Sequence, residues 1–522
     1  MKRTNLSIFV IPLIILILIL HINYFRFVCD DAFISFRYAK NFVEGHGLVY
    51  NIGEKVEGYT NFLWTMLLSL FMRLGMNVVV VSQVLGVLSS IVTILLLLHL
   101  NQKLYPRDNL FNYLAPFFLV CCGAYAAWST GGLETSFYTF LIFLGSYLFI
   151  TGIKKPGSLV LSGITFAFVS MTRLDGLVFT GITFIYMFYL VLIQRRIELK
   201  YMLWTIPCFL VPFLFYFFWR WSYYGKFLPN TFYVKVGSES LYHQGLIYMF
   251  DFVGRFWAWL FIIPLAFLSR VIRSNENLKF IVPYFVALTL VFSLYVIYIG
   301  GDFMDMFRFF VPVLPFFFFL IQEGFRGIYD YSLTLRGKMQ KRLMLYSEVI
   351  LTIICLFFLA YPSKESNGSW SRTGIDSIGI LRDSVRIWSK VGIMFKGIAR
   401  PGESLATTAA GAIPYYSELY TIDELGLTLL SPTELKVRNI LRPGHWKEVT
   451  DEFLISQRPT YILGHPKLHE EFKPAQGVWG FSETLLEAGY KPIVFTVKIS
   501  DKENKYLYCL SLKKSYLDGI QK

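Results

Sequence analysis

Charge is scarce in this chain: 16% of its 522 residues are Asp, Glu, Lys or Arg, where soluble domains carry about a quarter. The shortage excludes a single water-soluble globule. A mean hydropathy of +0.52, with 55% hydrophobic residues, excludes a disordered chain. Cysteine is sparse too. Of the six, Cys121, Cys122, Cys208 and Cys355 lie inside apolar runs. Only Cys29 and Cys509 fall in segments expected outside a bilayer, where they could pair without any spacing that demands it. Missing as well are the P-loop, the Gly-x-Gly-x-x-Gly turn, His-Glu-x-x-His and Cys-x-x-Cys, so nucleotide cradles and the familiar metal centres have no support. No internal repeat or low-complexity tract is present.

What is present is long apolar runs. Lys and Arg number 49 against 35 Asp and Glu, a formal charge of +14, yet most of these charges punctuate the runs. That pattern argues for a polytopic membrane protein and against nucleic acid as partner. Windows of about 20 apolar residues predict about eleven spans: 6–25, 77–100, 109–127, 135–153, 158–172, 176–193, 201–219, 246–268, 280–299, 307–321 and 343–361. The first has a basic start, but Tyr24-Phe25-Arg26-Phe27 follows it instead of a small-residue cleavage site, so a retained helix is expected. The segment 158–172 is short enough for a broken or re-entrant element.

The connections alternate. One set holds Lys103/Arg107, Lys154/Lys155, Arg195/Arg196/Lys200, Arg270/Arg273/Lys279 and Arg326/Arg336/Lys338/Lys341/Arg342, and the basic bias assigns it to the cytoplasm. The other set holds Asp30-Asp31, Gly131–Glu134, Arg173–Gly176, the Tyr223–Ser240 loop and Gly300–Asp302, and is expected outside. From about Pro362 charges become frequent and apolar runs shorten to strand length. Ser404–Ala410, Pro459–Leu463, Pro492–Ile499 and Tyr506–Lys513 read as strands; Arg382–Ile387 and Glu448–Ile455 read as helices. The expectation is a mostly α-helical membrane bundle over 1–361, carrying its catalytic loop at 29–61, and an extracytoplasmic α/β domain over 362–522.

The outer face carries the chemistry. Its first loop opens with two carboxylates at the membrane boundary, where charge is expensive and usually functional. On a helix from Asp30, Ala32, Phe36, Ala39 and Val43 form an apolar stripe suited to the bilayer or the bundle. Asp30, Arg37, Asn41 and Glu44 share another face, and Asp31 sides with Ser35 and Tyr38. Capping of that helix is the structural role open to either acid. His46, in a Gly-flanked turn, fits a structural role better than a ligand. A divalent cation on Asp30 and Asp31 with Glu134 or Asp302 would be chemically reasonable, but separated carboxylates are a weak metal signal. Arg37, Lys40, Glu134, Arg173, Asp175, Arg220, Lys226, Lys235, Asp302, Asp305 and Arg308 put both signs of charge on this face. Trp64, Trp128, Trp219, Trp221 and Trp257 stand beside them, as an interfacial belt would.

These blocks resemble the GT-C class of integral-membrane glycosyltransferases that use polyprenyl-phosphate sugars, and within it the terminal arabinofuranosyltransferases of mycobacterial arabinan and their bacterial relatives. The similarity rests on DDAFISFRYAKNFVEGHGLVYN, VEGYTNFLW (Val56–Trp64), GGLE (Gly131–Glu134), TRLDG (Thr172–Gly176), YYGKFLPNTFYVK (Tyr223–Lys235), GGDFMDMFRFFVPVLP (Gly300–Pro315), AAGAIPYYS and IDELGL (Ile422–Leu427). It implies a catalytic carboxylate in the first outer loop, Asp30 or Asp31, and a sugar donor on a long prenyl phosphate.

The chemistry agrees. A phosphate leaves readily, so it needs positive charge nearby more than a proton, and one carboxylate suffices to deprotonate the acceptor. Asp30 is the expected base because Arg37 shares its face, with Asp31 capping the helix or positioning the acceptor. Arg37, Arg173, Lys235 and Arg308 are candidates for the donor phosphate. His46, Tyr59, Glu134, Asp175, Asn230 and Asp302 are candidates for sugar or acceptor. The expected partners are a lipid-linked sugar, a glycan or glycolipid acceptor and membrane lipids, in a bacterial inner membrane. Transfer of a hexose or aminoarabinose to lipopolysaccharide, lipid A or protein is the alternative within enzymes. A flippase of lipid-linked sugars is the alternative outside them, which the nearly charge-free spans disfavour.

Overall fold

The computed structural model describes residues 6–105, 110–235, 241–260, 263–268, 275, 277–332, 375–430, 435–437, 445, 447–474, 481–501 and 503–512. Among these, six helices are long and apolar enough to cross a membrane and four shorter ones are apolar over 10–17 residues. Helix α1 (Leu6–Phe25) leads to the short α2 (Asp30–Val43), α3 (Phe62–Arg73) and α4 (Val78–Leu104). Then come α5 (Leu114–Cys121), α6 (Gly123–Trp128), α7 (Thr135–Gly152), α8 (Pro156–Thr172), α9 (Gly176–Leu192) and α10 (Leu199–Tyr224). The rest of the bundle is α11 (Asn230–Lys235), α12 (Tyr242–Leu260), α13 (Leu278–Ile299) and α14 (Leu314–Ser332).

Most expected spans appear within a few residues of their windows. The segment 109–127 is interrupted at Cys122, whose extended backbone (ψ 114°) separates α5 from α6. The windows missed α3, too short to span. The segment 158–172 is a continuous helix, and 343–361 lies outside the described residues, as does the proposed domain boundary at 361/362.

In lipid the apolar residues alone cannot drive helices together, so close packing and interhelical hydrogen bonds must. Gly163 of α8 lies so near α10 that a Cβ there would sit 2.4 Å from the Thr205 carbonyl oxygen. Between α9, α7 and α13, the Tyr284 hydroxyl meets Thr183 Oγ1 (2.7 Å) and Ser146 Oγ (3.2 Å). The four phenylalanines 316–319 on α14 are all buried. Trp64 and Trp128 are buried too, their indole N–H groups donating to the Gly132 and Asp305 carbonyls, so they are struts of the bundle and not belt residues. Trp219 and Trp221 are exposed, as a belt requires; the Trp257 side chain lies outside the described residues.

The C-terminal part is the expected α/β domain. A parallel trio, β2 (Tyr420–Asp423), β1 (Ser404–Thr407) and β5 (Tyr461–Gly464), continues antiparallel into β8 (Glu503–Ser511), which pairs with β7 (Lys491–Ser500) and β6 (Leu468–His469). A small antiparallel pair, β3 (Leu435–Val437) with β4 (Lys447–Val449), stands apart. Helix α15 (Ile378–Ile398) covers one sheet face through Val391 and Phe395. Helices α17 (Asp451–Gln457) and α18 (Glu483–Glu487) cover the other through Leu454 and Leu485. Between β1 and β2 lies α16 (Ala412–Ser417). Cys29 and Cys509 are buried and unpaired.

This domain is not a loose appendage. Ile375, Ile378, Leu381 and Ala412 belong to the same buried cluster as the bundle core, and Met304 forms a parallel bridge with Asp376. Helix α2 is sandwiched between the two parts. Its stripe of Ala32, Phe36 and Ala39 is fully buried against the bundle; of its polar residues, Arg37 is buried beneath the C-terminal domain and Asn41 against the Val49 and Tyr50 carbonyls of its own loop.

Candidate functional site

The site forms where α2, the Gly131–Glu134 loop, the Arg173–Asp175 turn and the 300–308 loop converge. The Cys29 N–H donates to the Gly131 carbonyl (3.1 Å), and a Cβ on Gly132 would strike Val28 and Ala32, so the glycine pair sets the start of α2 directly above Glu134. Neither acid of the doublet caps α2: its N-cap is Cys29, with no side-chain bond. Asp30 reaches into the C-terminal domain instead. Its Oδ2 accepts from the Gly411 N–H at 3.0 Å and its Oδ1 from the Ala412 N–H at 2.7 Å. Burial pushes the Asp30 carboxyl up to about 7, against the pull of those two donors. Asp31, half-buried, stands within electrostatic reach of Arg308 and of Asp423.

Below the doublet runs a continuous polar chain. Ser35 Oγ donates to Asn61 Oδ1 (3.0 Å), Asn61 Nδ2 to Glu134 Oε2 (2.8 Å), and Arg173 Nη1 to Glu134 Oε1 (2.8 Å). Arg173 also grips Asp175 through Nη2 (2.8 Å) and Nε (3.1 Å), and Asp175 accepts from the Tyr138 hydroxyl (2.8 Å). These bonds leave one N–H on each terminal nitrogen of Arg173 with no partner among the described residues.

Arg308 faces the same cleft from the other side. The loop before it turns through Gly300 and Gly301 and then through Met306 (φ 58°) and Phe307 (φ 48°), two non-glycine residues held left-handed. Such conformations cost of the order of 1–3 kcal/mol each and persist only where surroundings enforce them. Here both side chains are buried, Asp305 Oδ1 accepts from the Met306 N–H (2.7 Å), and the Trp128 indole holds the Asp305 carbonyl. The result delivers Arg308 to the cleft, with its Nε 2.5 Å from Asp302 Oδ2 and its guanidinium over the rings of Trp128 (5.4 Å) and Phe309 (5.1 Å). The cleft is lined by Thr135, Tyr138, Arg173, Asp175, Phe292, Arg308, Phe309 and Pro312. Its lining therefore combines two guanidinium groups with the apolar side chains of Phe292, Phe309 and Pro312.

Several candidates lie elsewhere. Arg37 donates all five N–H groups within the protein: to the Tyr50, Pro414 and Leu419 carbonyls (2.7–2.8 Å), to Asn51 Oδ1 (3.1 Å) and to Thr421 Oγ1 (3.5 Å). It has nothing left for a phosphate, and it ties α2 to the C-terminal domain. Asn230 is buried with its Nδ2 shared among the Gly426, Leu427 and Leu429 carbonyls, which makes it a second tie. Tyr59 is buried against Tyr38 and Tyr224. His46 is exposed in its turn and away from the cleft. Lys235 ends α11, and its side chain lies outside the described residues.

Glu134, Asp175 and Asp302 each face an arginine, and among the described residues no three His, Cys, Asp or Glu side chains gather in a metal-sized group. Beyond the residues singled out by sequence, Tyr138 and Thr135 line the cleft, Asn61 joins Ser35 to Glu134, and Gly411 and Asp423 stand on the C-terminal domain near the doublet. Asn61, Gly411 and Asp423 stand inside quoted blocks, VEGYTN, AAGAIPYYS and IDELGL, so a signal existed.

A family model described as a domain of unknown function (DUF8728) matches residues 379–510, the C-terminal domain. The chain is 26% identical over 316 residues to a terminal beta-(1->2)-arabinofuranosyltransferase of Mycobacterium tuberculosis, covering 53% of this chain and 49% of that one. It is 26% identical over 318 residues to the enzyme of the same name from Corynebacterium glutamicum, covering 53% and 45%. The matches thus span about half the length of these curated relatives. Among solved structures, ArnT from Cupriavidus metallidurans bound to undecaprenyl phosphate superposes with a TM-score of 0.59 at 12% identity, covering 97% of this chain and 98% of that one. The Archaeoglobus fulgidus oligosaccharyltransferase tethered to an acceptor peptide superposes with a TM-score of 0.51 at 9% identity, covering 80% and 64%. The chain is accordingly a multi-pass membrane protein with the GT-C fold, similar in sequence to terminal arabinofuranosyltransferases.

Proposed function

We propose that this protein is a glycosyltransferase that moves a sugar, arabinofuranose or a similar pentose, from a polyprenyl-phosphate donor to a hydroxyl of a cell-envelope glycan or glycolipid. The reaction takes place on the non-cytoplasmic face of a bacterial inner membrane, the face to which the basic bias assigns α2 and the C-terminal domain. The observation that carries the reading is the pairing of Arg173 and Arg308 in one cleft with apolar residues, with Asp31 within electrostatic reach of Arg308. The names of the arabinofuranosyltransferase relatives favour a pentose. That of the undecaprenyl-phosphate complex supports a prenyl-phosphate donor.

In this reading the bond from the anomeric carbon to the phosphate oxygen breaks as the bond to the acceptor oxygen forms on the opposite face. The prenyl phosphate leaves with the electron pair, and its charge is met by the two guanidinium groups. The acceptor proton passes to a carboxylate, and the anomeric configuration inverts. Between the two acids the geometry favours Asp31 as base. Asp30 is held by two main-chain N–H groups of the C-terminal domain, whereas Asp31 sits on the Arg308 side of the helix. This reverses the sequence-based preference for Asp30, whose ground was a shared face with Arg37.

The test is incubation of the purified protein in detergent with prenyl-phosphate-linked arabinofuranose, aminoarabinose, mannose and glucose, each with an oligosaccharide acceptor, scoring product and anomeric configuration. Consumption of the pentose donor with inversion, and an Asp31→Asn variant about 10²–10⁴-fold slower, are expected. Full transfer by Asp31→Asn sinks the assignment of the base, and retention of configuration sinks the mechanism. Consumption of the aminoarabinose or a hexose donor instead of the pentose would establish the alternative specificity.

A further inference from the structure

We propose that the C-terminal domain is a working part of the active site, in which the Gly411 and Ala412 peptide groups clasp Asp30 and so hold the neighbouring Asp31 at its place beside Arg308. The proposal rests on the reading of Asp31 as base.

The geometry is a two-point grip. Asp30 and Arg37 stand seven residues apart on α2, two turns, and therefore share one face. Both are held by the same short stretch of the C-terminal domain. Asp30 accepts from the Gly411 and Ala412 N–H groups; Arg37 donates to the Pro414 and Leu419 carbonyls and to Thr421 Oγ1. Tyr50 and Asn51, on the return of the same loop, close the grip: the Tyr50 hydroxyl donates to the Ala410 carbonyl (2.6 Å) and Asn51 Nδ2 to the Thr421 carbonyl (2.9 Å). A helix held at two points two turns apart cannot roll about its axis. Asp31, about 100° round from Asp30, is then aimed by the grip and not by its own side-chain freedom. The fit at the first point is tight, since a Cβ on Gly411 would lie 2.0 Å from the Asp30 carbonyl oxygen and 2.6 Å from its Oδ2.

Gly411→Ala is the probe. It lies in another domain from the phosphate cleft, adds one methyl group and must shift Asp30. Displacement of a reacting group by about 1 Å can cost of the order of 10²-fold. The expected result is a kcat lowered about 10–100-fold with KM for the lipid donor within about threefold, since Arg173 and Arg308 are untouched. Tyr50→Phe, which removes one bond of the same grip without adding volume, serves where Gly411→Ala yields no folded protein. It should lower kcat severalfold at unchanged donor KM. An unaltered kcat in the folded variant, or a rise in KM alone, overturns the clasp while leaving the transferase reading intact. A wild-type chain inactive on every prenyl-phosphate sugar overturns both.

Discussion

Arg173 and Arg37 both carry a guanidinium on the same end of the bundle, and their partners separate their roles. Arg37 donates all five N–H groups to protein acceptors, whereas Arg173 keeps one on each terminal nitrogen and lies, like Arg308, on the cleft wall. Arg173→Gln and Arg308→Gln are each expected to lower kcat/KM for a prenyl-phosphate sugar by about 10²–10³-fold, the range for loss of one donor to a developing oxyanion. Steady-state kinetics on purified variants measures this; a loss under threefold in both would remove the phosphate assignment. The sequence placed both residues on one face of the bundle through the topology argument. It could not rank them, because a residue's list of acceptors is written in parts of the chain hundreds of positions away, such as Pro414 for Arg37.

Among the elements, the turn from α10 to α11 is pinned by a pair that burial makes consequential. Arg220 is fully buried and forks onto Glu57 of the first loop, with Nε 3.0 and 3.1 Å from the two carboxylate oxygens and Nη2 in contact as well, while Nη1 donates to the Phe227 carbonyl (2.7 Å). Removing one partner leaves a buried charge unmet, at about 3–5 kcal/mol, whereas replacing both with apolar residues of similar volume can be neutral. Glu57→Leu alone should therefore lower the unfolding temperature in detergent markedly, and Glu57→Leu with Arg220→Met should restore most of it. Equal destabilisation in single and double variants would contradict this account. Element positions were largely legible: the windows found the long helices, and Ser404, Pro459, Pro492 and Tyr506 each begin a stretch within a few residues of a strand. The break at Cys122 was not legible, because its chain is as apolar as the helices it separates.

At the scale of the molecule, the junction of bundle and C-terminal domain is acidic and buried. Burial pushes the Asp30 carboxyl up to about 7 and the Asp423 carboxyl up to about 6, above an unfolded value near 4. Between about pH 4 and 7 the folded chain thus holds protons that the unfolded chain has released. Stability is fullest below that window and falls as pH rises through it. Thermal unfolding in detergent should show a midpoint that declines from pH 5 to pH 8, with a shallower decline in Asp423→Asn; a midpoint that rises over that range would contradict the placement of these carboxyls. Of the two places open to the apolar stripe of α2, the bilayer or the bundle, Ala32, Phe36 and Ala39 take the bundle.

Composition and the alternation of basic and acidic connections were enough to establish a membrane bundle with its chemistry gathered at one end and an α/β domain after it. Those properties are local, set by hydropathy over about 20 residues and by the charge that flanks them. Helical periodicity also named the faces of α2. What covers each face was decided only by tertiary contact. The Gly411 and Ala412 N–H groups took Asp30 and the Pro414 and Leu419 carbonyls took Arg37, so the acid and the arginine singled out first became ties, while Arg173 and Arg308 line the cleft. A period of 3.6 residues fixes direction around an axis, but the partner waiting in that direction belongs to another stretch of chain.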